Sequence, residues 1–123
     1  MILSLDYLGD VPIYLQLRNQ VVLGIAAGQL RPGEKLPTIR ALALELGINM
    51  MTVSKAYQLL KQEGYVISDR RSGARIAPRA EDSADLEKLE KSLELIVAEA
   101  RLAGMEEETF VARCRELYKK KEV

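Results

Sequence analysis

The segment from Leu30 to Gly64 constrains the fold of this chain more than any other. It contains two short stretches with apolar residues at helical spacing, one after Thr38 and one after Asn49, and Gly47 separates them. Short polar side chains are preferred at the N-cap of a helix, and glycine commonly ends a helix in the left-handed conformation. The pattern therefore predicts a helix-turn-helix, the motif that presents its second helix to the major groove of DNA.

The rest of the first 78 residues completes a winged helix. Apolar residues at helical spacing predict three helices, Pro12–Ala27, Ile39–Leu46 and Met50–Glu63. Two short apolar segments, 65–67 and 74–77, flank the polar turn 69–73 and predict a β-hairpin. The predicted fold class is mainly α, an α+β winged helix over residues 1–78 with a short helical appendage.

Residues 79–123 have a different pattern. Heptad spacing predicts a helix from Ala84 to Ala103, and a last amphipathic helix is predicted from Glu106 to Lys120, after Gly104. Two short helices cannot bury their apolar stripes alone, which predicts a two-helix hairpin that packs against a second copy. The sequence thus predicts a homodimer with these dimer contacts: Leu86, Leu89, Leu93, Ile96, Phe110 and Leu117.

The charges are divided unevenly along the chain. The formal net charge is zero, but residues 1–80 carry ten basic and six acidic side chains, whereas residues 81–123 carry eight and twelve. The basic excess lies in the part that contains the predicted helix-turn-helix. This distribution favours double-stranded DNA as a partner of that part.

Composition argues against several other classes. The chain has no histidine, the commonest general base and a frequent metal ligand, and it shows neither a metal-spaced cluster nor a phosphate-binding glycine loop. We therefore expect no enzyme, no metal and no cofactor. The single cysteine, Cys114, is typical of a reducing compartment, and no apolar run is long enough to cross a bilayer. The expected location is cytoplasmic, with no membrane partner.

The predicted DNA contacts lie at two places in the winged helix. They are Arg40, Asn49, Met50, Met51, Thr52, Ser54 and Lys55 in the helix-turn-helix, and Arg70 and Arg71 at the hairpin tip. Amide and hydroxyl groups can read base edges, methionine can contact thymine methyl groups, and cations can bind phosphate. Three other interpretations remain open: Asn49 only caps its helix, one methionine fills the core, and the arginines are ordinary surface residues.

Several motifs resemble the GntR family of bacterial transcription regulators. The resemblance covers residues 11–78 and rests on Pro12-Ile13-Tyr14, Gln16-Leu17, Gly28, Leu30, Pro32 to Arg40, Leu46 to Asn49, Thr52 to Tyr57 and Glu63-Gly64. The short C-terminal helical pair is similar to the YtrA-type subfamily, whose small appendage serves dimerisation. The resemblance implies a homodimeric regulator, most often a repressor, with targets that include ABC transporter operons.

The resemblance also implies roles for single residues. Arg40 matches an arginine that contacts DNA, Asn49 to Thr52 match the start of the recognition helix, and Gly73 matches a wing glycine that lets the backbone approach the groove. The chain departs from the family pattern at Ser54, where many relatives have arginine, and at Met50, where arginine or proline is frequent. No known operator sequence can therefore be transferred.

Two alternative functions remain open from the sequence. One is a ligand-gated sensor that binds an unknown small-molecule effector at the dimer or interdomain interface. The other is a protein-interaction module whose winged helix no longer reads DNA sequence. The polar face from Asn49 to Lys55 favours DNA binding over the second alternative.

Overall fold

A computed structural model describes residues 4–69, 73–78 and 85–120 of the chain. These residues form five α-helices and one antiparallel pair of strands: α1 Ile13–Ala26, α2 Ile39–Leu46, α3 Met50–Gln62, β1 Val66–Asp69, β2 Gly73–Ile76, α4 Leu86–Leu102 and α5 Glu107–Lys119. The chain divides into two compact units, one that ends at Ser83 and one that begins at Ala84. The predicted winged-helix fold is confirmed.

Local capping explains why the helix-turn-helix forms where the sequence predicts it. The Thr38 hydroxyl accepts a hydrogen bond from the Ala41 amide at 3.1 Å and starts α2. Gly47 ends α2 in the left-handed conformation with φ 68°, a backbone state that costs glycine little. The Asn49 side chain then accepts from the Met51 amide at 2.7 Å and starts α3. Both caps and the glycine turn are as predicted.

The core of the first unit lies between α1, α2, α3 and the strands. The apolar side chains that point inward share almost complete burial: Leu17, Val21, Leu42, Val53, Leu60, Val66 and Ile76. Burying this much apolar surface is the main force that holds the three helices together. Because four positions of α3 are in the core, the orientation of α3 about its own axis is fixed.

The wing extends further than the sequence predicts. The strands continue to Asp69 and Gly73, which face each other across the ladder, so the predicted turn 69–73 is wrong at both ends. The reason is that backbone pairing, rather than side-chain polarity, decides where a strand ends. The loop before α2 also joins β2, because the Leu36 amide donates to the Ala74 carbonyl and the Ile76 amide donates to the Glu34 carbonyl, both at 2.9 Å.

The segment before α1 is tied down by glutamine side chains. Gln16 Nε2 donates to the carbonyls of Asp6 at 2.8 Å and Val11 at 2.7 Å, and Gln16 Oε1 accepts from the Asp6 amide. Gln20 makes a similar pair of hydrogen bonds with Ser4. The Tyr7 hydroxyl donates to the carbonyl of Leu46, the last residue of α2, at 2.9 Å. The segment has no regular secondary structure, but these hydrogen bonds anchor it to α1 and α2.

The second unit consists of α4 and α5, joined by a turn in which Gly104 has φ 81°. Asp85 caps α4 by accepting from the Lys88 amide at 3.0 Å. Neither helix fully buries a residue, so the two helices cover each other's apolar side chains only in part. The predicted dimer contacts on α4 are all exposed, as is Leu117, whereas Phe110 is half-buried.

Candidate nucleic-acid interface

The packing of α3 decides which of its residues can meet a ligand. Its buried face consists of Val53, Ala56, Tyr57 and Leu60, as the sequence predicts. Met51, at the opposite side, is 77% exposed, so the interpretation of this residue as core filler is wrong. One face of α3 is therefore fixed in the core, and the opposite face, called the outer face below, is open to solvent.

The other predicted residues of α3 are distributed around this outer face. Asn49, Met50 and Lys55 are exposed, and Thr52 and Ser54 are half-buried. Asn49 does cap the helix, but the cap uses only Oδ1. Its Nδ2 group makes no hydrogen bond to the described residues and can donate to a base edge or to phosphate.

The predicted residues fall into two neighbouring groups. Arg40 and Met50 line one shallow depression together with Leu44 and Ile48. The second group lines an open depression of about 570 Å³, formed by Met51, Thr52, Ser54, Lys55, Gln58 and Tyr14. The structure thus places Arg40 of α2 beside the start of α3, and Tyr14 of α1 beside its middle.

A lysine–tyrosine contact joins α1 to α3 within the second depression. The Lys55 Nζ lies 4.1 Å from the centroid of the Tyr14 ring, a distance at which a cation is attracted to the face of the ring. From the sequence, Tyr14 is named only as part of the motif that resembles the GntR family. The helical spacing of the sequence carries no signal for this contact.

A second polar link joins α1 to the far end of α3. Arg18 Nε and Nη2 donate to the two Glu63 carboxylate oxygens, each at 2.8 Å, and the guanidinium carbon lies 5.8 Å from the Tyr65 ring centroid. The hydrogen bond to Glu63 raises the pKa of Arg18 above its ordinary value. This two-point geometry holds the end of α3 and the start of the wing against α1.

Tyr57 connects α3 to the segment that leads into α2. Its hydroxyl donates to the Pro37 carbonyl at 2.7 Å, and burial raises the pKa of Tyr57 to about 12. Tyr57 therefore stays neutral at all ordinary pH values and keeps its role as a donor. Together with the caps, this hydrogen bond helps to set the relative position of α2 and α3.

The wing shows part of the predicted contact surface. Gly73 is exposed and has φ 80°, and a Cβ at this position would meet no atom of the described residues within 4 Å beyond its chain neighbours. A backbone without a side chain can approach a surface closely, which is the role that the resemblance implies for Gly73. The two predicted arginines of the wing tip, Arg70 and Arg71, lie outside the described residues.

Among residues 4–69, 73–78 and 85–120, no group of three or more acidic or cysteine side chains is arranged to hold a metal ion. In the same part of the chain, no helix combines the length and the apolar character needed to span a membrane.

Solved structures share the fold found here. A transcriptional antiterminator from Listeria monocytogenes EGD-e superimposes with a TM-score of 0.87 at 25% identity, over 100% of this chain and 97% of that chain. The GntR-family transcription factor YtrA from Sulfolobus acidocaldarius gives a TM-score of 0.66 at 34% identity, over 83% and 99%. The DNA-binding domain of AraR in complex with operator ORX1 gives 0.54 at 26% identity, over 63% and 95%.

Curated relatives match either the first unit or nearly the whole chain. The uncharacterized HTH-type transcriptional regulator YdcR of Escherichia coli is 45% identical over 67 residues, which are 54% of this chain but only 14% of YdcR. HTH-type transcriptional regulator Rv1152 of Mycobacterium tuberculosis is 41% identical over 61% of this chain and 62% of its own length. The HTH-type transcriptional repressor YtrA of Bacillus subtilis is 32% identical over 107 residues, 85% of this chain and 82% of YtrA.

The family model described as bacterial regulatory proteins, gntR family, matches residues 13–76, which contain α1, α2, α3 and both strands. This range holds the described core and the outer face of α3. Because this family model matches half of the chain and YtrA is similar over most of both proteins, the chain belongs to the GntR family.

Proposed function

We propose that the protein is a sequence-specific, DNA-binding transcriptional repressor that acts as a homodimer in the cytoplasm. The observation that carries the proposal is the outer face of α3, which presents the Asn49 amide, Met50 and Met51 to solvent while the opposite face is locked in the core. A helix held in this way is rigid enough to read base edges in the major groove. The solved AraR domain, which has the same fold and is bound to an operator, supports DNA as the ligand.

Each predicted residue has a role in this proposal. The Asn49 amide and Ser54 hydrogen-bond bases or phosphates, and Met50 and Met51 contact thymine methyl groups. Lys55 and Arg40 bind phosphate, with guanine as a second partner for Arg40, and Thr52 lines the same depression as Lys55. The wing residues Arg70, Arg71 and Gly73 meet the minor groove or the backbone. These contacts make the affinity sensitive to salt.

The helices α4 and α5 support the dimer. Apolar side chains such as Leu86 and Leu89 are exposed along α4, and exposed apolar surface of this extent marks an interaction site. We assign residues 1–78 to DNA binding and 79–123 to dimerisation. A two-fold dimer would place two copies of α3 in successive major grooves, so the operator is an inverted repeat with half-sites about 10 base pairs apart. The similarity to YtrA-type regulators makes an ABC transporter operon the first target to test.

Selection from a randomised duplex library at moderate salt tests the proposed function directly. We expect enrichment of an inverted repeat with a fixed half-site spacing. Recovery of random sequence from a folded protein would contradict sequence reading and would favour a protein-interaction module. Selection should be repeated with the Leu93→Asp variant, which keeps the winged helix but places a charge in the proposed dimer face.

A small-molecule effector is the second candidate, because the second unit contains a concave space. The space has a volume of about 580 Å³ and is lined by the apolar residues Val97, Ala100, Met105 and Phe110 and by the charged residues Arg101 and Glu107. This size lies within the range of ligand sites. A compound that raises the melting temperature and weakens binding to the selected operator would support an effector. A dimer interface that fills this space would contradict an effector site there.

A further inference from the structure

The Lys55 ammonium has an aromatic ring as its partner. Tyr14 is the second residue of α1 and Lys55 lies in the middle of α3, so their contact at 4.1 Å joins two helices that are distant in sequence. Among residues 4–69, 73–78 and 85–120, no carboxylate forms an ion pair with Lys55. The cation is therefore held in place by the ring without being neutralised.

The surroundings of this contact are open and polar. Tyr14 and Lys55 share their depression with Met51, Thr52 and Gln58, which belong to the outer face of α3. An ammonium has three donors, and contact with a ring face leaves donors free on the other sides. An anion that enters the depression therefore meets a cation that is already oriented.

We propose that Tyr14 is a positioning residue of the DNA-binding surface. Its ring holds the Lys55 ammonium at the edge of α3, and the two side chains form a binding site for one backbone phosphate of DNA. Holding a long, flexible lysine in place before DNA arrives lowers the entropic cost of ordering it on binding. The inference rests on the proposed function, because it deepens the phosphate role assigned to Lys55.

A double-mutant cycle on the selected operator tests the inference. Lys55→Met should lower the slope of log affinity against log salt concentration by about one, as expected for the loss of one phosphate contact. Tyr14→Leu should weaken binding by about two- to fivefold, the range of an exposed cation–π contact. In the Lys55→Met background, Tyr14→Leu should cause no further loss. Full additivity of the two losses would overturn the inference.

Lys61→Met is the matched control for this cycle. It removes the same charge from the last turn of the same helix, away from Tyr14. We expect the effect of Tyr14→Leu to be the same in the Lys61→Met background as in the wild-type protein. A coupling of Tyr14 to Lys61 as strong as its coupling to Lys55 would show a general loss of packing in α1 and would count against a specific contact.

A second series protects the test against misfolding of Tyr14→Leu, since Tyr14 packs against the core. Tyr14→Phe serves as the reference, and phenylalanines with increasing fluorination are then placed at the same position. Fluorine weakens the negative face of the ring and largely keeps the shape of the side chain. Operator affinity should fall stepwise with fluorination when Lys55 is present and stay constant in Lys55→Met. Constant affinity in both backgrounds would overturn the inference.

Parallel titrations with a duplex of mixed sequence separate this inference from the proposed function. Equal binding of both duplexes would contradict sequence reading, yet coupling between positions 14 and 55 on either duplex would still uphold the phosphate site. A strong operator preference without that coupling would overturn the inference alone. No binding to either duplex by a folded protein would overturn both.

Discussion

At the scale of single residues, the two ends of the Asn49 side chain have different tasks. Oδ1 caps α3, and Nδ2 is free to donate to DNA. Asn49→Asp keeps a good N-cap but replaces the donor with a negative charge. We expect the free energy of unfolding to stay within about 0.5 kcal/mol of wild type, while operator binding weakens by about 1–3 kcal/mol.

Asn49→Ser distinguishes the loss of the amide donor from the added negative charge, because serine also caps a helix but carries no charge. Chemical denaturation and operator titration of the three proteins provide the measurements. If Asn49→Asp binds the operator as tightly as wild type, Asn49 has no role beyond capping.

Tyr57 gives a prediction for alkaline pH. Its pKa is about 12 in the folded protein and about 10 in an unfolded chain, so the folded state favours the protonated form. The stability from this preference is complete below pH 10 and is lost as the pH rises towards 12. The loss should amount to about 1–3 kcal/mol.

Tyr57→Phe has no hydroxyl to ionise. At neutral pH it should be less stable than wild type by about 1 kcal/mol, because the hydrogen bond to Pro37 is missing. Denaturation midpoints of both proteins from pH 8 to pH 11.5 should therefore converge or cross. A constant difference across this range would show that Tyr57 does not titrate with unfolding.

At the scale of elements, the turn between α2 and α3 depends on the conformation of Gly47. Its φ of 68° is strained for residues with a side chain, and within the described part of the chain a Cβ would meet nothing closer than 4 Å beyond the neighbouring residues. Gly47→Ala should therefore lower the free energy of unfolding by about 1–2 kcal/mol through backbone strain alone. Gly47→Asn should cost less, since asparagine tolerates the left-handed region. Equal stability of all three proteins in urea would contradict this account.

The helix-turn-helix could be predicted from the sequence because its signals are local. Thr38, Gly47 and Asn49 act within four residues of their own positions, and the bounds of α2 were predicted without error. The wing was predicted less well, because its ends depend on the pairing of Asp69 with Gly73. Local patterns of polarity do not report which backbone groups pair.

The polar contacts between helices could not be predicted from the sequence. Arg18 and Glu63 are 45 positions apart, and about half of the first unit separates Tyr14 from Lys55. Helical spacing assigns each residue to a face but does not say which residue of another helix it will meet. The assigned DNA contacts rest on the helix-turn-helix pattern and on the family resemblance and stay predictions, while the exposure of Met51 is a result of the fold.

At the scale of the whole molecule, the two units differ in how complete they are. The first unit has a closed core, whereas no residue of α4 or α5 is buried, and Leu86 of α4 is 74% exposed. Exposed apolar faces of this kind are costly in water unless a partner covers them. In the proposed function that partner is a second copy of the chain, which would also fit an inverted-repeat operator, because dimer symmetry and operator symmetry correspond.

Leu93→Asp tests this correspondence. Leu93 lies in the middle of the apolar stripe of α4, and a carboxylate buried there without a partner would be strongly unfavourable. The variant should sediment as a monomer and lose operator affinity, since two half-sites would no longer be bound by one linked molecule. Its winged helix should keep its stability. Ala98→Asp places the same charge on a different, exposed face of α4 and should stay dimeric. A monomeric Leu93→Asp protein with full operator affinity would show that this face does not couple dimerisation to DNA binding.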